Sequence, residues 1–259
     1  MFSKRLRVEA SKQNWFGVAV ELVILILGVF LGIQVNNWNL DRLSQRDGQD
    51  YRERVLGDLE SNRADLANRL TYYRDIKTFA AATLAALDEP GSDNPQAFLT
   101  SAYQASQITP RKMRRFTYDE ALSTGKFIKI GGAATRERLA NLYTGVEATE
   151  VTLQTVTPYR EHIRSGMPPA AQEAVRTQCP EHLASVGNGS VITSLPPKCR
   201  ITMNQEDAAR YAIAVRAIPE LRPDLVRLMA DLDVKMTLTT FLDDRIKDVR
   251  SELVAESQN

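Results

Sequence analysis

From Leu22 to Ile33 the chain reads LVILILGVFLGI, without a single charge. Extended to Trp15 and Val35, the stretch becomes WFGVAVELVILILGVFLGIQV, 21 residues whose only ionisable group is Glu21. A helix rises 1.5 Å per residue, so this length reaches about 30 Å, the thickness of a bilayer's hydrocarbon core. Hydrocarbon offers the backbone no hydrogen-bond partner, and one segment cannot close a barrel, so a segment lying there must be helical. Two other readings compete, a cleaved signal peptide and the buried helix of a soluble protein. A signal peptide has an apolar region of about 7 to 15 residues followed by a small-x-small site. Here the run is longer and passes into QVNNWNLDRL, which offers no such site. The expectation is a retained transmembrane helix over residues 15–35.

The flanks suggest its orientation. Residues 1–14 carry Lys4, Arg5, Arg7 and Lys12 against Glu9, whereas Arg42, Arg46 and Arg52 on the other side are matched by Asp41, Asp47 and Asp50. A compact basic flank favours the cytoplasmic side. Residues 1–14 are therefore expected to form a short cytoplasmic tail. The rest is translocated, which in a Gram-negative cell makes this a single-pass inner-membrane protein with a periplasmic domain. Trp15 and Trp38 bracket the run as interface anchors do. Over the whole chain, 33 Lys plus Arg meet 32 Asp plus Glu, for a formal charge of +1. That balance argues against a dedicated nucleic-acid binder, while leaving room for a local basic patch.

The apolar helix has two unlike faces. Gly17, Glu21, Gly28 and Gly32 share one stripe, while Val23, Leu27 and Phe30 crowd the other side. Small residues at this spacing let helix backbones approach closely, so the stripe is a candidate contact with a second copy or a larger inner-membrane partner. The alternative is that glycine is simply common in membrane helices and Glu21 reaches the headgroups. A lone acid provides no proton relay. At the far end, Gln34, Asn36, Asn37, Trp38 and Asn39 form a polar membrane exit. The amides can bond to neighbouring helices, or they can merely finish a spanning helix.

Residues 36–50 are expected to form this exit and a possible stalk, with a break at Asn36, Asn37 and Asn39 left open. Residues 51–259 then form the extracytoplasmic domain. Leu59, Leu66, Tyr73, Ala80 and Leu87 recur every seventh residue, supported by Leu56, Leu70 and Leu84. This is a helical seam, and no strong breaker appears before Pro90. A second seam over 133–164 uses Leu139, Leu142, Val146, Thr149, Leu153, Val156 and Ile163, with Arg160 taking one position, and Pro158 should bend or restart its helix. A third, after Pro219 and Pro223, uses Leu225, Leu228, Leu232, Leu242, Ile246, Val249 and Leu253, interrupted by Lys235 and Thr239. Shorter helices are expected over 95–107, 117–124, 170–178 and 204–217. The predicted fold class is mainly α: an N-terminal transmembrane helix followed by an antiparallel bundle of long amphipathic helices. A parallel coiled coil would account poorly for helices of such unequal length. The β-like pieces FIKI at 127–130, SVIT at 190–193 and RITM at 200–203 allow at most a small hairpin.

Cys179 and Cys199 are the only cysteines. In an oxidising compartment they are expected to join as a disulfide around the irregular stretch between them, contributing roughly 3 kcal/mol by loop closure. His162 and His182 complete the set of soft ligands, but the spacing lacks the paired ends of a structural zinc site. No cofactor is expected. No hydrolase elbow, phosphate loop or dinucleotide fingerprint appears, so the chain is expected not to be an enzyme. The basic run RKMRR at 111–115 suggests either an anion-binding patch or a solvated turn. The solvated turn is preferred, placed before a helix in which Thr117 and Glu120 form a capping box. Gly125 is expected to end that helix with a positive φ, followed by Phe127, Ile128 and Ile130 tucked into the bundle.

ELVILILGVFLGIQVNNWN at 21–39 and, less specifically, YDEALSTGKFIKI at 118–130 resemble bacterial single-pass membrane proteins of the DUF6090 type. Glu21, Gly28, Gln34, Asn36, Asn37, Trp38 and Asn39 match that pattern. The resemblance implies the topology of an N-terminal membrane helix followed by a helical region, and implies no mechanism. The expected function is a structural or interaction module anchored in the bilayer. The alternatives are an extracytoplasmic ligand sensor coupled laterally through its membrane helix and an envelope enzyme.

Overall fold

The computed structural model describes residues 15–257 except 90, 92, 93 and 187–189. The expected cytoplasmic tail, 1–14, lies outside the described residues. The chain divides into two units, Met1–Asp50 and Tyr51–Asn259, each described by itself.

The first helix, α1, spans Trp15–Asp88 and begins in the first unit. Asn36, Asn37 and Asn39 are all helical, so the polar exit does not break it. The helix contains an 18-residue apolar window, none of which is buried, and it is long and apolar enough to cross a membrane.

In the second unit the elements follow in the order α2 (Pro95–Ala105), α3 (Phe116–Ser123), a 3-10 turn (Lys126–Lys129), α4 (Ala133–Gln154), α5 (Pro158–Gly166), α6 (Pro169–Gln178), β1 (His182–Val186), β2 (Ser190–Ser194), α7 (Gln205–Arg216) and α8 (Leu221–Ser257). The architecture is a helical bundle with one two-stranded antiparallel sheet. Residues 51–88 of α1, α4 and α8 are the long members. Ion pairs Arg250–Glu60, Arg63–Asp243, Lys77–Asp233 and Arg222–Asp88 show the direction, since numbers rise along α1 as they fall along α8. Arg138–Glu252 and Lys235–Thr155 show the same antiparallel run for α4 against α8.

The three seams are buried, with informative differences. On α1, Leu59, Leu66, Tyr73 and Ala80 face the core as expected. The second row, however, is Val55, Asn62, Arg69, Ile76 and Thr83, again every seventh residue, while Leu56 and Leu84 are only partly buried. On α4, Leu139, Leu142, Val146 and Leu153 are buried, but Thr149 is half-buried and Val156 lies beyond the helix in the linker. Pro158 does restart the helix. It forces Thr157 into an extended conformation and lets α5 begin with a residue that needs no amide partner. Along α8 all seven apolar positions are buried, and so are Lys235 and Thr239.

Several local expectations need correction. Gly125 follows α3 with the expected positive φ, 68°, and FIKI falls in a 3-10 turn over Lys126–Lys129, not in the small hairpin. Ile130 is buried and Phe127 packs edge-on against Tyr118, but Ile128 is 68% exposed. SVIT pairs with residues 182–186, the segment immediately before it, and RITM is irregular. The capping box does not form, because the helix begins at Phe116 and puts Thr117 inside its first turn. The Thr117 amide instead donates to Asp58 on α1, and Glu120 accepts from Tyr51 and pairs with Arg54.

Gly132, at the N-cap of α4, has no side chain to cap the helix. The carboxylate of Glu256, from the far end of α8, accepts from the Gly132 amide at 2.9 Å and from Thr135 at 2.5 Å. A negative charge at an open helix N-terminus is favourable on both dipole and hydrogen-bond grounds. These two bonds hold the Glu256 carboxyl below the usual carboxylate range.

Candidate functional site

The residues singled out at the N-terminal helix all lie within its helical span. Gly28 and Gly32 have nothing within 4 Å of where a Cβ would stand, and Glu21 is exposed. Gly17 shares the helix. Of the exit residues, Gln34, Asn36, Asn37, Trp38 and Asn39 are all exposed, and Arg42 lies 5.9 Å from the centre of the Trp38 ring. The apolar residues from Leu22 to Ile33 are exposed all round the helix.

In the second unit, the basic run 111–115 buries Met113 and is not a solvated turn, while its Arg111, Lys112 and Arg114 line an open concavity with Asp65. The run is an extended strap held against α1 by side chains. Asn62, 2% exposed, donates to the Arg114 carbonyl at 2.8 Å and accepts from the Arg114 amide at 2.7 Å. Its amide thus stands in for a neighbouring β-strand. Arg69 donates to the Arg111 carbonyl at 2.9 Å, and Glu150 accepts from the Met113 amide at 2.6 Å. Each satisfies a backbone group that would otherwise be left unpaired. Asn68 repeats the device on β2, donating to the Thr193 carbonyl at 2.9 Å and accepting from its amide at 3.0 Å. Asp65 pairs with Arg69 and Arg111, at 2.6 and 3.3 Å. Burial pushes the Arg111 guanidinium below its ordinary proton affinity, with Asp65 opposing the shift.

Cys179 and Cys199 are joined, with Cα atoms 5.6 Å apart, bracketing the hairpin. His162 does not approach them, since its Nδ1 sits 2.5 Å from Asp224 at the start of α8. Among the described residues no group of three or more His, Cys, Asp or Glu is placed to hold a metal ion.

One concave feature with converging polar groups lies inside the bundle. It is a cavity of about 30 Å³ walled by α1 at Tyr72, Tyr73 and Ile76, by the segment after α2, by the α4–α5 linker, and by Leu228, Leu232 and Lys235 of α8. Of the three residues that interrupted apolar seams, Arg160 and Lys235 line it and Thr239 does not. The sequence therefore carried a signal for this site, in the form of breaks in an apolar pattern. Lys235 is 6% exposed, and its ammonium donates to the Thr155 carbonyl at the end of α4, at 2.6 Å. Burial pushes its proton affinity down, and nearby Asp231 offsets this only in part. Arg160 donates to the Ser106 carbonyl. Beside it Arg164 lies over the Tyr103 ring, 3.7 Å from its centre, and bonds Ser106 and Gln107. Glu181 sits just outside the wall, accepting from Tyr72 and Thr109, and burial together with this bond raises the Tyr72 phenol.

No protein-family model, curated protein or solved structure matches the chain.

Proposed function

We propose that the chain is a membrane-anchored interaction module of the bacterial envelope. In this reading the apolar part of α1 crosses the inner membrane, residues 1–14 stay in the cytoplasm, and the helical domain from Tyr51 onward lies in the periplasm. The observation that carries it is the 18-residue apolar window with none of its residues buried. At about 25 cal/mol per Å², leaving so much apolar surface in water is far more costly than lipid or a partner helix. The basic residues at 1–14 support the orientation. The joined cysteines suit an oxidising compartment. The likeness of residues 21–39 to DUF6090-type membrane proteins supports the same topology.

Within the membrane, the open faces of Gly28 and Gly32 are where a second copy or a larger membrane protein docks, with Gly17 and Glu21 on the same stripe. Bulky side chains there would hold the backbones apart. Cysteine crosslinking in native membranes is expected to trap a defined adduct near Trp38. Gly28→Leu and Gly32→Leu together should abolish it, and an undiminished adduct in that variant rejects this interface.

A further inference from the structure

We propose that the cavity between α1, α4 and α8 binds a small carboxylate. Lys235 and Arg160 both line it, and no carboxylate does. Among the described residues neither cation has an acidic partner within ion-pair distance, unlike Arg69 and Arg111, which share Asp65. An ammonium has three donors, and Lys235 places one on the Thr155 carbonyl. The remaining donors sit on a side chain 6% exposed. A charge in that position is costly without a countercharge.

Ile76, Leu153, Val156, Leu228 and Leu232 supply the apolar part of the lining, beside polar Ser106, Gln107, Thr109 and Thr155. Cations among aliphatic side chains match a ligand with one anionic group and a short hydrocarbon tail. The volume of about 30 Å³ limits that ligand to the size of formate or acetate. Two acids compete: Asp231, one turn before Lys235 on α8, offsets its burial only in part, and Glu181 already accepts from Tyr72 and Thr109. The site belongs to the second unit and does not depend on where the N-terminal helix resides.

The test is thermal unfolding of the full chain in neutral detergent, followed by circular dichroism across a sodium acetate titration, with sodium chloride at matched ionic strength. A ligand that binds only the folded state raises the midpoint in a saturable way. Acetate is expected to do so and chloride not. Lys235→Met should weaken the acetate response at least about tenfold, the scale of a lost charge-assisted hydrogen bond. Arg160→Gln provides the second reading if the first variant folds poorly. Equal midpoints in acetate and chloride overturn the proposal, as does an acetate response that survives both substitutions.

Discussion

Asn62 offers the sharpest test of how the domain is held together. Its side chain is one of two on α1 that bond both polar groups of a single distant residue, here Arg114, 52 positions along the chain. Replacement by Leu keeps the branched heavy-atom shape and removes both bonds. Each buried bond contributes about 1 kcal/mol net, and leaving a buried partner unsatisfied costs about 1 to 3 kcal/mol. Arg114 is only partly buried, so water recovers some of this, and the expected loss is about 2 to 3 kcal/mol. For a domain of this size each kcal/mol lowers the midpoint by about 2 to 4 °C, giving a fall of roughly 4 to 12 °C. The assay is thermal and urea unfolding of the full chain in detergent, with hydrogen exchange at Met113 and Arg114 reporting the strap directly. Asn62→Ala should lose somewhat more, since it adds a cavity. If Asn62→Leu melts with the wild type and exchange along the strap is unchanged, then the amide does not hold the strap and the reasoning fails.

Other perturbations follow from the same contacts. Lys235→Met should stabilise the ligand-free protein by about 1 kcal/mol, because it removes a buried charge at the expense of one bond to Thr155. Burial lowers the proton affinity of Lys235 in the folded state, so its penalty is full below the folded pKa and fades as the pH rises toward 10.5. The advantage of the variant should shrink over that alkaline window, and a constant difference would contradict the assignment. Glu256→Gln should cost about 0.5 to 1 kcal/mol near neutral pH, the scale of a carboxylate at a helix N-terminus. The wild-type carboxyl is held low, so its contribution is present above about pH 4.5 and is lost as the pH falls through the folded value, and the two proteins should converge in acid. Cys179→Ser with Cys199→Ser should lose about 3 kcal/mol by loop-closure arithmetic, read in urea unfolding against the oxidised protein. Non-reducing mass spectrometry of envelope material should show the two cysteine peptides linked.

The long helices were legible because apolar residues recurring in steps of three, four and seven leave few other ways to bury them. Leu59, Leu66 and Tyr73 on α1 and the leucines of α8 follow that rule. Asn62 and Arg69 escaped it. A polar residue at a core position looks like surface until its partner is known, and here the partners are backbone groups of a strap far along the chain. RITM misled for the opposite reason, since β-branched residues suggest strands while the outcome rests on a partner segment. The partner of β2 is β1, the segment immediately before it. At the cavity, the apolar pattern gave Arg160 as a flaw in one seam and Lys235, with Thr239, as a flaw in another. Only the antiparallel register of α4 and α8, with the chain turned back through Pro158, brings Arg160 and Lys235 to one cavity.

The account stands on the apolar start of α1 lying in lipid, and alkaline carbonate extraction of cells expressing the full chain tests this most directly. The whole polypeptide should remain in the membrane pellet at high pH, where proteins held only by surface charge are released. Recovery of the intact chain in the carbonate supernatant, without detergent, would contradict it.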